Sequence, residues 1–191
     1  MTLAARFLDV IEGDILPLTR QGVARGNKVF GAAVLRQDTL ALVLAETNNE
    51  TECPLWHGEV HCIKLFHELP EPRPDPKDLL FLSTHEPCTM CMSAIAWAGF
   101  DNFAYFFSHE DSRDAFAIPH DLRILQEVFG LPPGGYRHSN AFWTATAIRD
   151  LVADDPDRAA LDQQSARIRA AYDDLSAAYQ SGKSANAIPL R

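Results

Sequence analysis

Ser83–Ile95, STHEPCTMCMSAI, holds two of the chain's four cysteines, Cys88 and Cys91, three positions apart and directly after Pro87. The run LLFLST (79–84) that leads into it is wholly apolar at its start and of strand length. Pro87 is well placed to open a helix, and the pattern predicts one over 88–98. At i and i+3 the two sulfurs face one way. A helix N-terminus lowers thiol pKa and favours thiolates. Taken alone, such a pair fits a disulfide, a structural zinc knuckle or a catalytic metal.

The stretch WHGEVHC (56–62) narrows the choice. Residues 57–69 read as a helix with His57 and Glu59 in its first turn. If both strand-to-strand crossovers take the usual right hand, the two helices start at one place. Two thiolates and one imidazole then make a three-ligand zinc site with an open tetrahedral corner. Water bound there becomes acidic, and Glu59 is placed to take its proton.

Further out, 3–26 shows helical spacing interrupted at Pro17, and KVFGAAVLR (28–36) and TLALVLAET (39–47) read as strands around a turn at Gln37-Asp38. PEPRPDPK (70–77), with four prolines, is a stiff loop, and NFAYFF (102–107) is a fourth strand. Strands separated by helices imply crossovers and a sheet covered on both faces. Residues 120–130 read as a helix ending at Gly130, 131–140 as a loop, 144–152 and 156–180 as helices, and 181–191 as a frayed tail. The expected organisation is one main domain over 1–152, with a helix and tail, 153–191, packed on it or extending from it.

The chain has 191 residues, a net charge of −9 and a pI near 5.1. Such a balance gives no general attraction to phosphate backbones, and no run of Lys or Arg makes up for it. The opening MTLAARFLDV lacks the pattern of a signal peptide, and no window approaches 18 uncharged apolar residues. A cytoplasmic protein with free thiols or metal ligands is the expectation, with neither nucleic acid nor membrane as partner.

His-x-Glu followed by Pro-Cys-x-x-Cys, here H57-G58-E59 and P87-C88-T89-M90-C91, resembles the signature of the cytidine deaminase superfamily. The resemblance covers about residues 28–108 and extends to GAAVL, to TNN before the histidine, and to EPCTMCMSAIAWAG. By that wording the chain looks most similar to guanine deaminases and tRNA adenosine deaminases. The resemblance implies an α/β fold: a three-layer α-β-α sandwich with a mixed five-stranded sheet, here with a helical C-terminal extension. It implies one Zn2+ on His57, Cys88 and Cys91, zinc-bound hydroxide as nucleophile, Glu59 as proton shuttle, and ammonia as product. It implies an asparagine holding the base from the loop before the histidine; Asn48 or Asn49 fills that place, and Asn48 is preferred. Trp97, His109 and Asp121 are the other residues it suggests for substrate contact. A homodimer is the assembly it suggests.

Ordinary roles compete with some of these. Cys53, Cys62, His61 or His85 could complete a closed structural zinc site by residue type. Trp97 lies at helical spacing from Met90, Ala94 and Ile95, which packing alone explains, and Trp56 divides between pocket wall and core. As for substrate, the acidic 150–180 segment argues against tRNA. Gly58 pulls towards cytosine by resemblance, and AIAWAG towards guanine. The expectation is a deaminase of a small amino-substituted heterocycle, guanine first. After it come cytosine or a nucleoside, then tRNA adenosine, then a non-catalytic zinc module.

Overall fold

The computed structural model describes residues 1–132 and 135–190. The parts of the expected loop and tail that fall on residues 133, 134 and 191 lie outside them.

Five strands form one sheet: β1 (Gly31–Arg36), β2 (Leu42–Thr47), β3 (Leu79–His85), β4 (Asn102–Phe107) and β5 (Thr144–Ala147), in the order β2-β1-β3-β4-β5. β1 runs antiparallel to β2 and β3, while β3, β4 and β5 are parallel, so the sheet is mixed. The parallel steps need crossovers. α3 (Gly58–Glu68) carries the chain from β2 to β3, and α4 (Thr89–Trp97) from β3 to β4.

Alternation along each strand divides the core in two. Ala32 and Val34 of β1, Phe81 of β3 and Phe103 and Tyr105 of β4 pack with Cys62, Phe66, Met92 and Ile95 of α3 and α4. On the other face Ala33, Leu35, Leu82 and Phe106 meet the N-terminal and C-terminal helices. These are α1 (Leu3–Val10), a π-helical segment (Ile11–Ile15), α2 (Leu16–Ala24) and the long helix that closes the chain. The result is the three-layer α-β-α sandwich with a mixed five-stranded sheet.

Several local expectations shift. The irregularity expected at Pro17 falls earlier, in the π-helical segment, which runs directly into α2 with Pro17 in its first turn. α5 (His109–Asp114) follows β4 at once because Ser108 and Asp111 form a reciprocal capping box. α6 (His120–Phe129) ends at Gly130, whose φ of 67° suits a residue without Cβ. The helix expected over 144–152 begins instead as β5, and only then becomes α7 (Ile148–Ala153). Thr144 and Thr146, β-branched and alternating, find an open sheet edge at β4, and that pairing outweighs the alanines' helical preference. Finally α8 (Arg158–Gly182) buries Ile168, Tyr172 and Tyr179 in the core, and the tail beyond it is not frayed, since Ile188 is buried.

Candidate metal centre

α3 and α4 begin side by side at the ends of β2 and β3. His57 is the residue that caps α3, and Cys88 the one that caps α4. His57 Nδ1 lies 3.6 Å from each of Cys88 Sγ and Cys91 Sγ, and the two sulfurs are 3.5 Å apart. A tetrahedral zinc with bonds of about 2.3 Å to sulfur and about 2.0–2.1 Å to nitrogen separates its ligands by roughly 3.5–3.8 Å. The triad therefore fits one zinc ion without rearrangement. Among the described residues His57, Cys88 and Cys91 are the one group whose ligand atoms converge in this way. Cys53, Cys62, His61 and His85 are not part of it. His61 is held by the Thr47 carbonyl, Cys62 packs between α3 and the sheet, and His85 stacks on Phe107 on the other side of the sheet.

Glu59, one residue into α3 from Gly58, points back at the same place. Its Oε2 is 3.3 Å from Cys91 Sγ, and its Oε1 accepts from Ser83 Oγ of β3 at 2.9 Å. Gly58 makes this approach possible. A Cβ on Gly58 would lie 2.6 Å from the Gly31 Cα on β1, so any side chain would push α3 off the sheet. Packing by itself is enough to account for this glycine.

The charges are coupled. Burial alone would lower the His57 pKa, but the hydrogen bond and charge of Cys88, then Glu50 and Glu59, raise it to about 9. Cys88 is held well below the usual thiol range, first by the hydrogen bond from Cys91, and Cys91 is pushed up by burial and by its neighbour's charge. Without metal the pair thus carries one thiolate and one thiol. Burial first, then the Cys88 charge, raises the Glu59 carboxyl.

A cavity of about 220 Å³ opens at His57 and Cys88. That is room for one ring system. Its polar wall includes Lys28, Glu50 and Asp121. The apolar wall includes Phe30, Leu55, Ile118 and Ile124, and the tail closes one side with Ile188, Pro189 and Leu190. Of the residues expected to contact substrate, Asp121 is in this wall. Its carboxyl is raised to about 8, first by burial and then by the Cys88 charge. Asn48 stands behind the wall, fully buried: its amide donates to Glu50 Oε2 at 2.7 Å and its oxygen accepts the Gly58 N–H. Asn49 turns outward to Glu52. His109 is buried behind the turn into α4, its backbone N–H on Glu86 Oε2 and its Nε2 3.0 Å from the Pro87 carbonyl. Trp97 is not brought to the cavity; it is 92% exposed, beside Phe142 and Trp143 in a separate hollow. Trp56 stacks on His61 outside the cavity.

Two residues of the site had no signal in the motifs. Lys28 and Glu50 are both buried and form an ion pair of 2.7 Å, and the same Glu50 oxygen is 3.6 Å from His57 Nε2. A carboxylate at Nε2 directs the Nδ1 lone pair at the metal position. The one hint was a lysine at the head of the otherwise apolar KVFGAAVL.

Residues 15–107 match the family model of the cytidine and deoxycytidylate deaminase zinc-binding region. No curated protein sequence matches the chain. Among solved structures, a guanine deaminase from Nitrosomonas europaea aligns over 88% of this chain and 85% of its own, with a TM-score of 0.51 and 22% identity. The protein NE0047 in complex with 2,6-diaminopurine aligns over 95% of this chain and 84% of its own, with a TM-score of 0.55 and 21% identity. At such identities the likeness is one of fold. The matched region spans the His57–Glu59 and Cys88–Cys91 motifs whose geometry forms the triad, and over it the chain is similar to the zinc-binding region of cytidine and deoxycytidylate deaminases.

Proposed function

We propose that the chain is a zinc-dependent hydrolytic deaminase of a small amino-substituted heterocycle, a free purine base such as guanine foremost. The observation that carries this reading is Glu59, buried with its Oε2 against Cys91 of a three-ligand metal triad whose His57 and Cys88 open onto a cavity sized for one base. Zinc held by His57, Cys88 and Cys91 supplies an activated water when bound.

The chain's own residues do the rest. Ser83 fixes Glu59 Oε1, which leaves Oε2 on the triad side as the proton-carrying atom. Burial raises the Glu59 pKa, so its carboxyl can both take and return a proton. It delivers a first proton, taken from the water, to the ring nitrogen, and a second, taken from the hydroxyl newly formed on the ring carbon, to the amine; the carbon–nitrogen bond then breaks and ammonia leaves. Phe30, Ile118 and the tail exclude water, and Asp121 faces the base from the cavity wall. The 2,6-diaminopurine complex of NE0047 and the fold shared with the Nitrosomonas guanine deaminase support a purine. With packing enough to account for Gly58, its pull towards cytosine carries less weight.

The test is ammonia release from guanine, cytosine, adenine, their nucleosides, and triazine and pterin relatives, with the zinc-loaded chain and with Glu59→Gln. The expected result is turnover of at least one free base, reduced about 10²–10⁴-fold in Glu59→Gln at unchanged zinc content. Silence across the panel, or full activity in Glu59→Gln, would refute the reading.

A further inference from the structure

Lys28 is unusual in its position. Its side chain is 4% exposed, yet it lines the cavity that His57 and Cys88 open onto. Burying an ammonium is expensive unless it is paired, and even a buried pair is often no more stable than apolar residues of the same size. Stability therefore gives little reason for a lysine here.

The hydrogen bonds around it point to a different use. Glu50 is its hydrogen-bonded partner among the described residues, through Oε1 at 2.7 Å. Glu50 is itself committed: Oε2 takes the Asn48 amide at 2.7 Å, and Oε1 also lies 3.6 Å from His57 Nε2. An ammonium has three donors. The pair's remaining hydrogen-bonding capacity thus lies with Lys28, at the cavity wall. Asn48, by contrast, has both ends of its amide engaged, by Glu50 and by Gly58, and is not in that wall.

Building on the deaminase reading, we propose that Lys28 reads the substrate in this chain. Its ammonium donates to a ring carbonyl oxygen, so the site selects oxo-bearing heterocycles over those that lack the oxygen. Glu50 holds Lys28 in place and Asn48 holds Glu50. In a cavity otherwise walled largely by Phe30, Leu55, Ile118 and Ile124, one fixed cation outweighs shape in choosing between rings of equal size. A charged hydrogen bond of this kind supports a preference of tenfold or more.

The experiment measures binding rather than turnover. Zinc-loaded protein in a Glu59→Gln background is titrated calorimetrically with hypoxanthine and with purine, which differ by the ring oxygen. Hypoxanthine should bind at least tenfold more tightly. Lys28→Met/Glu50→Gln removes both charges; there, with zinc supplied in excess so that the site is loaded, the preference should shrink to within about threefold. Lys28→Arg should restore most of it. Equal affinities in the parent, no measurable hypoxanthine binding, or an undiminished preference in the zinc-loaded double variant would each overturn the assignment. The two readings fail separately. A chain that releases ammonia but ignores the ring oxygen refutes only the role of Lys28. One that binds hypoxanthine through Lys28 but deaminates nothing refutes only the deaminase.

Discussion

His57 shows how far one residue's protonation controls the site. Its pKa of about 9 means that the metal-free chain holds a proton on the imidazole at neutral pH, and Cys91 holds another. Zinc must displace both. Lower pH therefore weakens zinc binding, and affinity should climb by one to two decades per pH unit between pH 6 and 8. Chelator competition at several pH values measures this; a flat profile would mean that these two ligands are not the ones losing protons. Asp121 gives a second pH signature. Its folded pKa, raised to about 8, lies above the ordinary carboxylate value, so the folded state prefers it protonated. Its contribution is present in full below about pH 4 and is lost as pH rises through 8. In the metal-free chain, Asp121→Asn should flatten that loss, by on the order of 2 kcal/mol for a half-buried carboxyl. Thermal melts at pH 5 and pH 8 decide it.

At the scale of elements, the site depends on how closely α3 lies on β1. Gly58 and Gly31 are in backbone contact, and Gly31 is further tied by its N–H to Thr84 Oγ1 at 2.9 Å. Gly58→Ala should cost about 1–3 kcal/mol, the usual penalty of overpacking. It should also loosen zinc, because His57 and Glu59 move with α3. Denaturant unfolding with a parallel zinc assay tests both; an alanine variant as stable as the parent would show that α3 can shift at no cost. The same closeness changes the meaning of the sequence. A glycine in a motif invited a reading in terms of substrate, yet packing on a strand residue 27 positions away is enough to account for it.

Over the whole molecule, the chain's two ends enclose one layer. α8 runs back beside α1 and α2, and the segment after it returns to the metal cavity, where Ile188 to Leu190 form part of the wall. Truncation after Asn186 should leave the fold and zinc content intact, since Tyr172 and Tyr179 stay buried, but weaken binding of a small base about tenfold or more. Affinity unchanged on truncation would show that the tail does not enclose the ligand. The net charge of −9 predicts no tRNA binding at physiological salt; a salt-sensitive band shift would contradict that.

The chemistry was legible in the sequence because it depends on short-range spacing. Cys88 and Cys91 at i,i+3 and His57 and Glu59 at i,i+2 fix side-chain directions within one helical turn, and apolar runs named four of the five strands. Tertiary structure alone decided what depends on distant partners. β5 became a strand only because β4 offered an edge. Trp97 and His109, both near the motifs in sequence, point away from the cavity because helix and turn geometry aim them outward and inward respectively. Lys28, Glu50 and Ile188 reach the cavity wall because the sheet and its packed layers bring them there, and no local spacing encodes that meeting.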